Sequence, residues 1–218
     1  MITEVKKFIK DKLPFVASIV KPVVIAARHQ SSRQKIRRIL KEQRKMSVEL
    51  GAGGKGGQGE WITIDISNAC DIYWDLRKGI PFPAESLQKI YSSHFFEHLS
   101  FEETQHFLEE CKRVLVPGGQ FLICVPNARI YLEAYVRGIS LNPDYFVYPP
   151  ALNHTTLIDC VNYMAYMDGH HKYMFDEENL LYILRSKGFI NVRMRPFDPN
   201  LDLQARDYES IYAEAEKG

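Results

Sequence analysis

The stretch Val48-Glu49-Leu50-Gly51-Ala52-Gly53-Gly54 decides the fold class. An apolar run that stops on glycines reads as a buried strand turning where the backbone must come close to something. The carboxyl end of a strand in a parallel α/β sheet is such a place, because ligands bind there. Alone, the segment is ambiguous. Gly51-x-Gly53-x-x-Gly56 also fits a dinucleotide-binding pattern, and glycine clusters also make plain turns.

The segments downstream narrow the reading. Trp61-Ile-Thr-Ile-Asp65-Ile66 is a second apolar strand with a carboxylate at its tip. Such an acid can accept both hydroxyls of a ribose, or it can cap the next segment. Then come Asp71-Ile-Tyr-Trp-Asp75-Leu76, Ile80-Pro-Phe-Pro83, Ile90-Tyr-Ser-Ser93-His94-Phe-Phe-Glu97-His98-Leu99, and Leu115-Val-Pro117-Gly118-Gly119 running into Gln-Phe-Leu-Ile-Cys-Val-Pro126. Short apolar runs alternating with helical stretches predict an α/β fold with a doubly wound, mostly parallel sheet. The expected strands are Met46–Leu50, Trp61–Ile66, Asp71–Trp74, Lys89–Ser92, Gln120–Val125, Asn191–Pro196 and Ser210–Ala215. Helices are expected over Phe101–Leu115, with Phe107, Leu108, Cys111, Val114 and Leu115 on one face, and over Glu177–Lys187, capped by Asp176 and stopped by Gly188. Residues 127–173, rich in Tyr, Asn and Pro with weak periodicity, read as an irregular insertion of the lid or substrate-binding kind.

In order and spacing, the series from Met46 to Val125 resembles the motif set of class I S-adenosylmethionine-dependent methyltransferases, with their seven-stranded Rossmann-like sheet. The resemblance implies S-adenosylmethionine as cofactor. It places cofactor contacts at Glu49, Gly51, Ala52 and Gly53 (the first motif), at Asp65 and Ile66 (the ribose acid and its neighbour), at Asp75 and Leu76 (adenine recognition) and at Ser93, which ends the fourth strand. The block Pro81-Phe-Pro, Tyr-Ser-Ser-His, Glu-His-Leu is similar to short methyltransferases that accompany surface-polysaccharide biosynthesis. His171-Lys-Tyr-Met-Phe-Asp176, Gly188-Phe and Ser210-Ile-Tyr-Ala-Glu-Ala fit that family's last helix and closing hairpin. One departure is plain: only Lys55–Glu60 lies between the glycine loop and the second strand. Six helical residues rise only about 9 Å, so the first helix must be reduced. The same shortness counts against a nicotinamide-dependent oxidoreductase, which needs a full βαβ unit and an acid about 20 residues on. Gly51 to Asp65 is 14. A methyltransferase fold reduced to a non-catalytic binding or membrane-adaptor module is the other alternative.

Methyl transfer from a sulfonium asks the protein for alignment and, for a hydroxyl acceptor, a base. His94, just past the fourth strand, is the candidate base, and supporting the loop is its alternative role. Glu97 and His98 are expected to orient that loop or to cap the following helix. Of the adjacent His170 and His171, at most one is expected to face the site, since neighbours in an extended chain point apart. No metal site is expected, with His154, His170 and His171 forming no ligand spacing with other residues. Asn142-Pro-Asp-Tyr145 is only superficially like an amino-methylating motif. Tyr131, Tyr135, Tyr145, Phe146, Tyr148, Tyr163, Tyr166 and Tyr173 form an aromatic cluster that either lines an acceptor pocket or packs a lid. The acceptor is expected to be a small or lipid-linked molecule, such as a saccharide.

The 218 residues suit one α/β domain, over 46–218, preceded by a basic helical extension, 1–45. A net charge of +1 conceals an asymmetry. Residues 1–47 hold thirteen Lys/Arg and three Asp/Glu, a net +10, which leaves −9 for the remainder. Within the extension, Val5, Phe8 and Ile9 share a face, Pro14 interrupts, and Gln34–Lys45 forms a basic helix with Ile36, Ile39 and Leu40 as its apolar stripe. Docking on anionic lipid is one reading of the arm, and packing on an acidic body is the other. Nucleic acid is not expected, for want of an aromatic-plus-basic recognition module. The scattered Cys70, Cys111, Cys124 and Cys160 suggest reduced thiols and a cytoplasmic protein. The apolar run Phe15–Ala27, broken by Lys21 and Pro22, is too short to span a bilayer.

Overall fold

The computed structural model describes residues 14–42, 46–54, 61–142 and 156–218. It divides into two compact units, Met1–Glu42 and Gln43–Gly218. The first holds one long helix, α1 (Pro14–Glu42). The basic helix expected from Gln34 is therefore part of a longer one that starts at Pro14. Proline at the first helical position loses nothing, because the amide it lacks has no intrahelical partner there. The helix also continues through Pro22, an interior position where proline is costly. Arg33, Arg37, Arg38 and Lys41 are exposed along it. Val5, Phe8 and Ile9 lie outside the described residues. Among the described residues no helix is long and apolar enough to cross a membrane.

The second unit is built on a seven-stranded sheet. Its strands are β1 (Ser47–Leu50), β2 (Ile62–Asp65), β3 (Ile72–Tyr73), β4 (Leu87–Ser93), β5 (Leu115–Pro126), β6 (Phe189–Met194) and β7 (Ser210–Lys217). They lie in the order β3-β2-β1-β4-β5-β7-β6. The β1–β2, β1–β4, β2–β3 and β4–β5 pairs are parallel, and β7 runs antiparallel to both β5 and β6. This is the expected doubly wound, mostly parallel seven-stranded sheet, with an antiparallel hairpin at one edge. Val48, Leu50, Ile64, Ile90, Phe121 and Ile123 are buried at its centre. Among the described residues no helix joins β1 to β2, and Lys55–Glu60 lie outside them.

Helix α2 (Phe101–Val114) forms where its sequence caps it. The Ser100 hydroxyl accepts from the Glu103 amide at 3.2 Å, and Glu103 accepts from the Ser100 amide at 2.8 Å. Its buried face is Thr104, Phe107, Leu108, Cys111 and Val114, and Leu115 already starts β5. Strand β5 is longer than expected. It passes through Pro117-Gly118-Gly119 by a register shift between the Leu87 and Lys89 pairings of β4. A side chain on Gly119 would meet the Val116 carbonyl at 2.8 Å, so glycine is required at this bulge.

The insertion is more regular than its weak periodicity suggested. Its described parts contain α3 (Ala128–Arg137) and α4 (Leu157–Tyr166). Ala128, Tyr131, Tyr163 and Met164 form a buried cluster between them. Helix α5 (Glu177–Ser186) starts on Asp176, whose carboxylate accepts from the Asn179 amide at 2.9 Å. One buried polar network had no local sequence signature. Asp202 receives the Tyr91 hydroxyl at 2.9 Å and two Arg195 guanidinium nitrogens at 2.5 and 2.7 Å. Arg195 also stacks over Tyr212, 4.9 Å from the ring centre.

Candidate functional site

The parallel strands β1, β2, β4 and β5 deliver Leu50, Asp65, Ser93 and Pro126 to one edge of the sheet, and the site is assembled there. After β1 the chain turns on Gly51 (φ +73°), whose amide donates to the Ile64 carbonyl at 2.9 Å. Gly51 is also sterically obligatory. A Cβ there would lie 2.3 Å from Cγ of Phe95. The Gly53 amide donates to one Asp65 oxygen at 3.2 Å, and the Ser67 amide to the other at 2.8 Å. A carboxylate has about four acceptor positions, so these two bonds orient Asp65 and leave room for two more. The Cys70 thiol donates to the Gly53 carbonyl at 3.2 Å. Burial and the nearby Asp65 carboxylate push that thiol up to about 11, so it stays an S–H donor.

Asp75 opens a short 3-10 turn, Leu76–Lys78. Its carboxylate accepts from Arg77 Nε at 2.9 Å and from a terminal nitrogen at 3.0 Å. Hydrogen bonding to Arg77 holds the Asp75 carboxyl below its ordinary value. The following loop is pinned to α2. Arg113 donates to the Ile80 and Phe82 carbonyls, each at 2.9 Å, and Glu110 accepts the Ile80 amide at 2.9 Å. Trp74 Nε1 donates to the Gly79 carbonyl at 3.0 Å. The Ile-Pro-Phe-Pro motif thereby braces the wall that carries Trp74, Asp75 and Leu76.

Between these walls lies a cavity of about 380 Å³. Asp65, Ile66, Trp74, Asp75, Leu76 and Arg77 line one side, and Phe95, His98, Leu99, Gly169, His170 and Lys172 the other. Of the nine cofactor residues inferred from sequence, Asp65, Ile66, Asp75 and Leu76 line it. Glu49, Ala52 and Ser93 are buried nearby on β1, after β1 and on β4, with 6%, 0% and 4% exposure. Gly53 reaches the cavity through its bond to Asp65, and Gly51 lies against Phe95.

His94 follows β4 in the left-handed region, φ +50°, while its amide continues the ladder to the Cys124 carbonyl at 2.9 Å. A non-glycine residue held there is strained, as residues at functional sites often are. Its Nε2 is 2.8 Å from the Ser210 hydroxyl, which itself donates to the Arg206 carbonyl at 2.7 Å. With that proton committed, Nε2 donates to Ser210. Nδ1 stands 3.6 Å from Glu97 Oε1.

A second cavity, about 160 Å³, adjoins these groups. It is lined by His94, Glu97, His98, Pro126, Tyr163, Met164, Met167, His171, Arg206 and Glu209. His98 borders both cavities. Desolvation raises the Glu209 carboxyl above its ordinary value and pushes the His171 imidazolium down to about 4. Of the two adjacent histidines, His170 lines the first cavity and His171 the second. Of the aromatic cluster, Tyr163 lines the second cavity, Tyr131 is buried with its hydroxyl 3.2 Å from Glu209, and Tyr173 packs on Phe101 and Phe175. Tyr135 and Tyr166 are exposed. Tyr145, Phe146, Tyr148, His154, Gly56 and most of Asn142–Tyr145 lie outside the described residues. Phe95, Arg77, Lys172, Arg206 and Glu209 were not singled out from sequence. They meet the site through tertiary packing, and only their position beside recognised motifs hinted at it.

Residues 63–123 match a family model described as a methyltransferase domain. No curated protein matches the chain. Among solved structures, the chain is similar to a SAM-dependent methyltransferase from Thermotoga maritima, at 14% identity over 94% of this chain and 97% of that one, with a TM-score of 0.48. It is also similar to a SAM-dependent methyltransferase from Archaeoglobus fulgidus (18% identity, 87% and 94%, TM-score 0.49). A third is phosphoethanolamine N-methyltransferase 2 from Haemonchus contortus (13% identity, 86% and 52%, TM-score 0.49).

Proposed function

We propose that this chain is an S-adenosylmethionine-dependent methyltransferase that acts on a small or lipid-linked acceptor, a saccharide of the surface-polysaccharide kind being the class we favour. The observation that carries the activity is Asp65. It stands at the tip of β2, oriented by two backbone amides, on the wall of a 380 Å³ cavity whose other wall presents Asp75 and Leu76. A cavity of that size suits a nucleoside-sized ligand. The residues fit the cofactor. Asp65 has acceptor capacity left for a ribose, and Asp75 and Leu76 offer an acid and a backbone edge for an adenine. When bound, the cofactor supplies a methyl group on a positively charged sulfur, already activated for in-line displacement.

The remaining chemistry falls to residues around the second cavity. Its 160 Å³ admits the reacting part of an acceptor and little more. His94 is our candidate for the base that takes the acceptor's proton, as it lines this cavity. Its Nε2 lies 2.8 Å from the Ser210 hydroxyl, and the Glu97 carboxylate, 3.6 Å from Nδ1, supports an imidazolium there. Calorimetric titration tests the reading. S-adenosylmethionine and S-adenosylhomocysteine should each bind one to one, and NAD should give no heat. Binding of NAD alone would return the nicotinamide alternative, and binding of none of the three would leave an adaptor module.

The extension supports a membrane-surface setting. Arg33, Arg37, Arg38 and Lys41 are exposed on α1, and each basic residue near an anionic surface adds about 1 kcal/mol. The full chain should co-sediment with anionic vesicles at low salt and dissociate as salt rises, because exposed charges are screened over about 8 Å at physiological ionic strength. Indifference to such vesicles at low salt would end the membrane proposal and leave the enzyme reading intact.

A further inference from the structure

The wall between the two cavities carries a cluster that neither the glycine loop nor the cofactor acids explain. Glu97, His98 and His171 bring one carboxylate oxygen and two ring nitrogens within 4.8 Å of one another. His98 and His171 are 73 residues apart in the chain. Backbone bonds join their segments, since the Glu97 carbonyl accepts the Lys172 amide at 2.7 Å and the Tyr173 amide at 3.3 Å.

The tautomers of both rings are fixed. His98 Nδ1 lies 2.9 Å from the His170 carbonyl, and His171 Nδ1 lies 2.8 Å from the Met164 carbonyl. A carbonyl only accepts, so each Nδ1 carries a hydrogen, and each neutral ring presents an Nε2 lone pair. An imidazole whose far nitrogen is tied to a carbonyl is the usual setting of a metal-bound histidine, because that bond aims the ring and raises its basicity. Glu97 adds an acceptor-only carboxylate, its side chain 3% exposed, with Oε1 3.8 Å from His98 Nε2. One proton can bridge Glu97 to a single imidazole at a time. A divalent cation satisfies all three donors together.

We propose that Glu97, His98 and His171 bind a divalent transition-metal ion, zinc or a metal of similar preference, with its open coordination position facing the second cavity. Two imidazoles and one carboxylate are a donor set suited to zinc and leave a fourth position for water or an oxygen ligand. Metal–ligand bonds of about 2.0–2.2 Å put tetrahedral ligand atoms about 3.4 Å apart. The cluster therefore closes by about 1 Å or slightly more, which the His98 side chain, 39% exposed, reaches by a tilt about its bond to the His170 carbonyl. All three residues line the second cavity, so an oxygen of whatever enters it can complete the coordination.

The site shares Glu97 and the second cavity with the proposed acceptor site, and its test does not use activity, so its failure leaves the methyltransferase reading standing. Full-length, untagged protein is stripped with a chelator and titrated with Co²⁺, whose visible d–d absorption reports coordination by nitrogen and oxygen. One Co²⁺ per chain should bind and be displaced by Zn²⁺. His98→Ala, at a half-exposed position, and Glu97→Gln should each weaken binding at least about tenfold. His170→Ala keeps its backbone carbonyl and should bind as the wild type does. His171 is buried, so His171→Ala is informative only if its circular dichroism is native, and His98→Ala carries the test otherwise. Absence of a Co²⁺ band in the wild type, or equal binding by His98→Ala and Glu97→Gln, would overturn the site.

Discussion

The Gly53 amide donates to the Asp65 carboxylate at 3.2 Å, so the glycine loop after β1 and the acid at the tip of β2 form one unit. The Ser67 amide holds the other oxygen at 2.8 Å. A change in the loop is therefore felt at the acid. The two loop glycines with left-handed backbone nonetheless differ in what they tolerate.

Gly51→Ala should destabilise the fold by about 2–5 kcal/mol, combining left-handed strain with overpacking against Phe95. The clash is with Phe95, whose ring atoms Cγ and Cδ2 lie 2.3 and 2.4 Å and whose Cβ lies 2.6 Å from the new Cβ. Gly53→Ala meets nothing within 4 Å and carries only the φ +62° penalty, about 1–2 kcal/mol. Urea unfolding of both variants checks the ranking. Equal losses would mean that Phe95 gives way freely.

Asp75→Ala should weaken S-adenosylhomocysteine binding about tenfold, the worth of one charge-assisted hydrogen bond. An analogue with the adenine amino group replaced should bind the variant and the wild type alike. If the variant loses affinity equally for both ligands, Asp75 acts only by holding Arg77.

Asp202→Ala should cost about 3–5 kcal/mol, because it leaves the Arg195 guanidinium buried without its carboxylate. The Asp202 and Arg195 side chains are 1% and 8% exposed. Thermal unfolding reads the loss. A change below about 1 kcal/mol would show that water reaches Arg195 once Asp202 is gone.

The Glu110–Arg113 pair predicts an acid-sensitive brace. Hydrogen bonding to Arg113 lowers the Glu110 carboxyl below its ordinary 4.5. A carboxyl depressed on folding adds stability above its unfolded value and loses it as pH falls through the folded one. The stability gap between wild type and Glu110→Gln should therefore be full at neutral pH and close progressively below about 4.5. A gap that persists unchanged in acid would place the brace in packing rather than charge.

What could be read from the sequence was local. Strand tips such as Leu50 and Asp65, the Ser100–Glu103 capping box and the Asp176 cap each declare themselves within a few residues. The seven strands fall where apolar runs predicted them, with ends shifted by one to a few residues and β5 extended through its glycine bulge. The length of α1 was missed because its stretch before Gln34 contains Pro22, a residue that usually ends a helix. The helices of the insertion were missed because their apolar faces pack on each other through Tyr131, Tyr163 and Met164, a short patch with little period. Within the site, the acids at strand ends were legible and their partners were not. Tyr91 finds Asp202 across 111 residues, and Phe95, His170 and Lys172 reach the cavity through packing that no spacing records.

The central claim is that the 380 Å³ cavity holds the adenosine half of the cofactor through Asp65. The most direct measurement is the affinity for S-adenosylhomocysteine, by calorimetry, of the wild type beside Asp65→Ala with native circular dichroism. Removing an acid that accepts ribose hydroxyls takes away about 1.5–3 kcal/mol, so affinity should fall about tenfold or more. An Asp65→Ala protein that binds as tightly as the wild type would contradict the account, because Asp65 would then serve only to hold the Gly53 and Ser67 amides.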